Sequence, residues 1–181
     1  MEQTELYQLK FPIGEFTKLA IIDSPLVESW INDIATFPNR ITTLTKHLSE
    51  TELNLTYRSN GWSIKQVVHH CADSHMNSFI RFKLALTENS PTIKPYFEDR
   101  WAELTDSIDN NITDSLTLIT ALHSKWVVIL KNLSSTDLKK EFIHPEHGKR
   151  ISIEENIGIY AWHCNHHLAH IHLALKHKVE G

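Results

Sequence analysis

The sequence predicts an all-α protein, a four-helix bundle. Three observations lead there. Four stretches carry apolar residues at three- and four-residue steps. Two of those stretches open on a serine followed three residues later by Gln or Glu, the pattern of a capping box. No run of alternating residues long enough to build a sheet appears.

Taken in order, residues 1–23 read as an extended N-terminal arm with a turn at Pro12-Ile13-Gly14. Ser24-Pro25 marks a helix start, a capping serine followed by proline at the first helical position. Leu26, Trp30, Ile34, Phe37, Ile41, Leu44 and Leu48 then form one stripe. Pro38 lies inside it and is expected to kink the helix, because it removes a backbone donor. "NGWSIKQ" opens the second helix: Ser63 caps, Gln66 completes the box, and the helix runs to about Leu86. "ENSPTIKPYFEDRWAELTDSIDNN" is a long connection with two prolines. Connections of that length are functional or packed down, and Tyr96, Phe97 and Trp101 predict packing. The third helix spans 113–133 on Leu116, Ile119, Leu122, Trp126, Ile129 and Leu133. "EFIHPEHGKRISI" places a His-Gly turn between two short apolar stretches, a small hairpin. Ser152 and Glu155 then cap a last helix over 153–177.

The chain has 181 residues, of which 41% are hydrophobic, so residues 1–181 are expected to form a single domain. A net charge of -4 argues against a nucleic-acid partner. No apolar run reaches the ~18 residues of a membrane span. "MEQTELYQLKFP" does not resemble a secretory signal, and Cys71 and Cys164 have no CxxC spacing, so a cytoplasmic protein with free thiols is expected. Five glycines and no phosphate-loop motif disfavour nucleotide binding.

Histidine is the outlier, at 13 residues. "WHCNHHLAHIH", from Trp162 to His172, contains five of them on the last helix. Residues four apart share a helix face, so His163 and His167 form one pair and His166 and His170 another. Such a pair can bind one metal ion. The second helix contributes "VVHHCADSH". His70 stands beside the apolar stripe with Gln66 and Ser74 one turn away, and is better placed to point into the bundle. His69 has Lys65 and Asp73 as its neighbours and is better placed to be wet. One ligand from the second helix and two from the last make a three-imidazole centre with open positions, the pattern of a reactive site. Cys71 and Cys164 each follow a candidate ligand directly and so turn about 100° away, which makes them packing residues. His144 and His147 bracket a turn and read as surface residues; His123, His172 and His177 sit on mostly polar faces.

The blocks "GWSIKQVVHHCADSHMNSFIRFKLALTE" and "YAWHCNHHLAHI" resemble the DinB/YfiT-like superfamily, most closely the YfiT group of candidate metal-dependent hydrolases from bacteria. "FPIGEF" and "HPEHGKRISIEENIGIYAWH" are similar as well, so the resemblance covers nearly the whole chain. It implies an up-down-down-up bundle, a homodimer, and one divalent ion per chain, zinc or nickel. The ligands it implies are His70, His163 and His167. Cys71 departs from the aliphatic residue usual there.

The leading function on this basis is a metal-dependent hydrolase that activates water against a small-molecule substrate. The alternative is a thiol S-transferase that binds a low-molecular-weight thiol such as bacillithiol as thiolate. A non-catalytic metal-binding or interaction module is the third possibility. Hydrolysis benefits from a general base, and no carboxylate stands at ligand spacing. Asp73 is the nearest, and His166 or His170 are the other candidates.

Overall fold

In the computed structural model, which describes residues 3–146 and 148–180 apart from the side chains of residues 3 and 177–180, the N-terminal arm is partly helical. The expectation of an extended arm is corrected by α1 (Gln3–Lys10). This segment holds neither proline nor glycine, and Tyr7 packs on Phe11 with ring centroids 5.2 Å apart. The turn falls where it was expected: Gly14 donates to Phe11 O at 2.9 Å and sits at φ +75°, a left-handed conformation that favours glycine.

The next helix, α2 (Ser24–Thr45), is capped by Asp23 rather than Ser24; the Asp23 carboxylate accepts from the Leu26 amide at 3.0 Å. It continues as one element through Pro38 and ends before His47 and Leu48. A single turn, α3 (Glu50–Leu53), follows. α4 (Ile64–Thr87) starts on the expected box: Ser63 Oγ accepts from Gln66 N, and Gln66 Oε1 accepts from Ser63 N at 3.0 Å.

The long connection does pack. Ile93 is buried and donates to Ile143 O, while Ile143 donates to Pro91 O. It contains α5 (Glu98–Trp101), and Tyr96 lies against Trp101. Phe97 departs from expectation: its ring is 63% exposed, with the Arg100 guanidinium over it. Then come α6 (Thr113–Leu130), three residues shorter than its apolar pattern, and the turn α7 (Ser135–Leu138). The hairpin is present as β1 (Glu141–His144) antiparallel to β2 (Lys149–Ser152), with Phe142 opposite Ile151 and Gly148 at φ +57° in the turn. His147 lies outside the described residues. α8 (Ile153–Glu180) completes the chain. Ser152 Oγ accepts from Glu155 N at 3.2 Å, while the Glu155 carboxylate reaches Lys18 at 2.6 Å. The expected box is therefore made from one side.

Four long helices form the bundle, with α2 and α4 each packed on both α6 and α8. Contacts fix the directions. Trp30 stands over Gly158 and Asp33 over Asn165, so α2 and α8 run parallel. Ser78 meets Asn156 and His70 meets His163, so α4 and α8 run antiparallel. His69 meets Ser115 and His75 meets His123, so α4 and α6 run parallel. The order is up-down-down-up. Two parallel neighbours require the chain to return the length of a 24-residue helix, roughly 36 Å, and residues 88–112 make that journey. The centre of the bundle is filled by Ile34, Phe37, Phe82, Ile119, Trp126 and Ile157, all fully buried. No helix among the described residues is long and apolar enough to cross a membrane.

Candidate metal centre

Three imidazoles converge between α4 and α8. His163 and His167 lie one turn apart on α8, and His70 faces them from α4. His163 Nε2 is 3.2 Å from His70 Nε2 and 3.2 Å from His167 Nε2. One nitrogen from each ring lies within 4.8 Å of the others. Burial pushes all three well below the usual histidine range, His70 to about 3, with the neighbouring imidazoles adding to the effect. The rings are therefore neutral and present lone pairs. Two nitrogens bound tetrahedrally at 2.0–2.1 Å are separated by ~3.3 Å, which matches the observed spacing. The donor set fits a divalent ion.

The competing pair does not converge on His70. His166 stacks on Trp162, with centroids 4.3 Å apart. His170 stacks on Tyr57 at 3.9 Å and places Nε2 3.1 Å from Lys10 O. Both are buried, with pKa values lowered by burial to about 3 and about 4.

His69 points away from the cluster, as its polar neighbours suggested, but it is not wet. It is buried, with Nδ1 2.8 Å from Ser115 Oγ and Nε2 3.1 Å from Asp109 O, so it ties α4 to the start of α6. His123 is a second correction: expected on a polar face, it is 1% exposed in the bundle core. Its Nε2 is 2.7 Å from His75 Nδ1, and His75 Nε2 is 3.0 Å from His163 Nδ1. The signal for both was in the spacing. His75 falls four residues after Cys71 on one stripe, and His123 four after Ile119 on another. His144 is half-buried at the rim of a cavity, and His172 is exposed. The side chain of His177 is not among those described.

Two cavities reach His163. One, of about 500 Å³, is bounded by Arg81, Tyr96, Arg100 and Tyr160. The other, of about 460 Å³, is bounded by Phe11, Tyr57, Arg58 and Trp62. Glu98 and Asp99 line both. These carboxylates come from α5 in the aperiodic connection, where spacing arguments have no purchase. Burial, then the nearby Asp99 and Glu146 charges, raise the Glu98 carboxyl. Asp73, the nearest carboxylate by sequence, is pushed up to about 6 by burial and Asp106, but it does not bound either cavity. Cys71 and Cys164 are free, fully buried thiols whose pKa values burial raises, as fits packing residues.

The model of the DinB superfamily matches residues 34–171. The chain is 50% identical over 169 residues to a protein of Oceanobacillus iheyensis named as a candidate metal-dependent hydrolase, covering 93% of this chain and 97% of that one. A protein of Bacillus mycoides named in the same way is 48% identical over 163 residues, covering 90% and 93%. Among solved structures, YfiT from Bacillus subtilis is described as a probable metal-dependent hydrolase with an unusual four-helix bundle topology. It matches with a TM-score of 0.91 at 40% identity, over 94% of this chain and 98% of its own.

Proposed function

The chain belongs to the DinB superfamily, and from that premise we propose that it is a metal-dependent hydrolase of a small-molecule substrate. His70, His163 and His167 hold one divalent ion, zinc or nickel. The observation that carries this reading is the convergence of three neutral imidazoles on the wall of one cavity, with His163 also reaching a second. A divalent ion at this place supplies a Lewis acid that brings the pKa of a bound water towards neutrality. The three ligands stand on two packed helices, which fixes their spacing before anything binds. Trp62 packs on the His70 ring at 4.6 Å and keeps bulk water from that side. Glu98 is the base that accepts the proton of the attacking water, since its carboxyl is raised in pKa and it is shared by both cavities. A carboxylate at the cavity supplies the general base that hydrolysis benefits from and that no residue at ligand spacing offered.

The homodimer and the cytoplasmic location belong to this proposal on the family likeness, and sedimentation of the purified protein tests the first. The activity is tested by incubating untagged protein, loaded with zinc or with nickel, with a panel of small esters and amides, and separately with an electrophile plus bacillithiol. Ester or amide turnover lost in His163→Ala supports hydrolysis. Turnover only in the thiol panel overturns it, and so does metal-free protein after purification in zinc and nickel.

A further inference from the structure

We infer that His75, His123 and His170 are positioning residues that select the coordinating nitrogen of both α8 ligands, through two imidazole relays that each end on a main-chain carbonyl. This rests on the metal reading above. The first relay begins at Ile34 O, which can only accept. His123 Nδ1 lies 2.7 Å from it and so carries the hydrogen. A buried imidazole is neutral, because burial penalises the charged form, and a neutral imidazole has one donor and one acceptor. His123 Nε2 therefore accepts, from His75 Nδ1 at 2.7 Å. His75 Nε2 is then the acceptor for His163 Nδ1–H at 3.0 Å. The remaining lone pair of His163 is on Nε2, the nitrogen that faces His70 and His167.

The second relay has the same logic. Lys10 O accepts from His170 Nε2–H at 3.1 Å, which leaves His170 Nδ1 as an acceptor. His167 Nδ1 lies 3.5 Å from it and is the donor, so His167 also presents Nε2 to the centre. Metal-bound histidines commonly donate their other N–H to a carbonyl or carboxylate, which fixes the tautomer. Here a histidine stands in between, and in the first relay two do.

The carbonyl at the root of the first relay is free for a reason written in the sequence. In α2 the acceptor Ile34 O should bond the amide of residue 38, but residue 38 is proline and has no N–H. Pro38 thus leaves Ile34 O to His123. Lys10 O is likewise at the last residue of α1, where helix carbonyls lack intrahelical donors.

Two measurements test this. Long-range ¹H–¹⁵N spectra of the imidazoles in the full-length protein should show Nδ1–H tautomers for His75, His123, His163 and His167, and an Nε2–H tautomer for His170. Zinc affinity, by competition with a chromophoric chelator, should weaken about 10–100-fold in His123→Leu and His75→Leu. It should recover in His123→Gln, whose amide can both donate to Ile34 O and accept from His75. Wild-type protein that binds neither zinc nor nickel overturns the metal reading; wild-type protein that binds, with His123→Leu and His75→Leu binding equally well, overturns the relay. If the leucine variants do not fold, the wild-type tautomers decide: an Nε2–H state at His75 or His123 sinks the inference.

Discussion

Pro38 and His123 are joined through one carbonyl: the helix bond that Pro38 cannot make to Ile34 O is made instead by His123 Nδ1, at 2.7 Å. A proline that looked like a helix defect is the reason a buried histidine has an anchor. Pro38→Ala returns an amide that competes for Ile34 O. Because a carbonyl has two lone pairs, the expected loss of zinc affinity is several-fold, smaller than in His123→Leu. Chelator competition on both variants checks the order; Pro38→Ala losing more than His123→Leu would contradict it.

Acid should unfold the metal-free protein early. His70 is held near 3 and His123 near 4 by burial, with His75, His163 and His167 also lowered, against an unfolded value of 6.5. The unfolded chain therefore binds more protons below pH 6.5. The stability contributed by the neutral rings is fully present above 6.5 and is lost as pH falls towards the folded values. Each such proton changes stability by ~1.4 kcal/mol per pH unit. Urea midpoints measured in chelator from pH 8 to pH 4 should be flat above 7 and fall steeply below 6. A flat profile down to pH 4 would show that the rings are not buried as neutral groups.

His163→Ala should abolish tight metal binding, whereas His69→Ala should keep it. The cost of His69→Ala is in stability: it leaves Ser115 Oγ and Asp109 O without this partner, about 1–3 kcal/mol. Metal content by elemental analysis and denaturant midpoints separate the two effects. Loss of metal in His69→Ala with retention in His70→Ala would reverse the assignment.

Glu98→Gln should lower hydrolytic kcat by roughly 10²–10⁴-fold, the usual worth of a general base, with metal content unchanged. Asp73→Asn, outside both cavities, should change kcat little. The comparison requires only a turnover assay and a metal measurement on each variant; equal kcat in Glu98→Gln and wild type would remove Glu98 from the reaction.

The bundle was legible because helices announce themselves locally. The Ser63 box and the stripes from Ile34 to Ile41 and from Ile119 to Trp126 are periodicities that a chain must show if one face is buried. The first helix start was misplaced by one residue, since Asp23 and Ser24 are both good caps and only the backbone conformation chooses between them. The arm was misread because a short amphipathic segment carries too little pattern to tell α1 from a strand. His123 was misread because the polar residues around it outweighed a stripe position that holds an imidazole instead of a leucine.

By itself the sequence determined four amphipathic helices, where most of them begin, and a histidine-rich face on the last one. Those follow from spacing along the chain, which a helix converts directly into direction. Spacing left two pairs on the last helix, the resemblance implied one of them, and tertiary structure decided which imidazoles meet. His70 and His163 are 93 positions apart yet 3.2 Å apart in space, and His166 and His170, with the same four-residue spacing, turn to Trp162 and Tyr57 instead. It also decided that Glu98, from a connection without periodicity, stands at the cavity, and that the carbonyl freed by Pro38 has a histidine from another helix to receive it. Such relations depend on how helices pack across the bundle, and no local pattern encodes them.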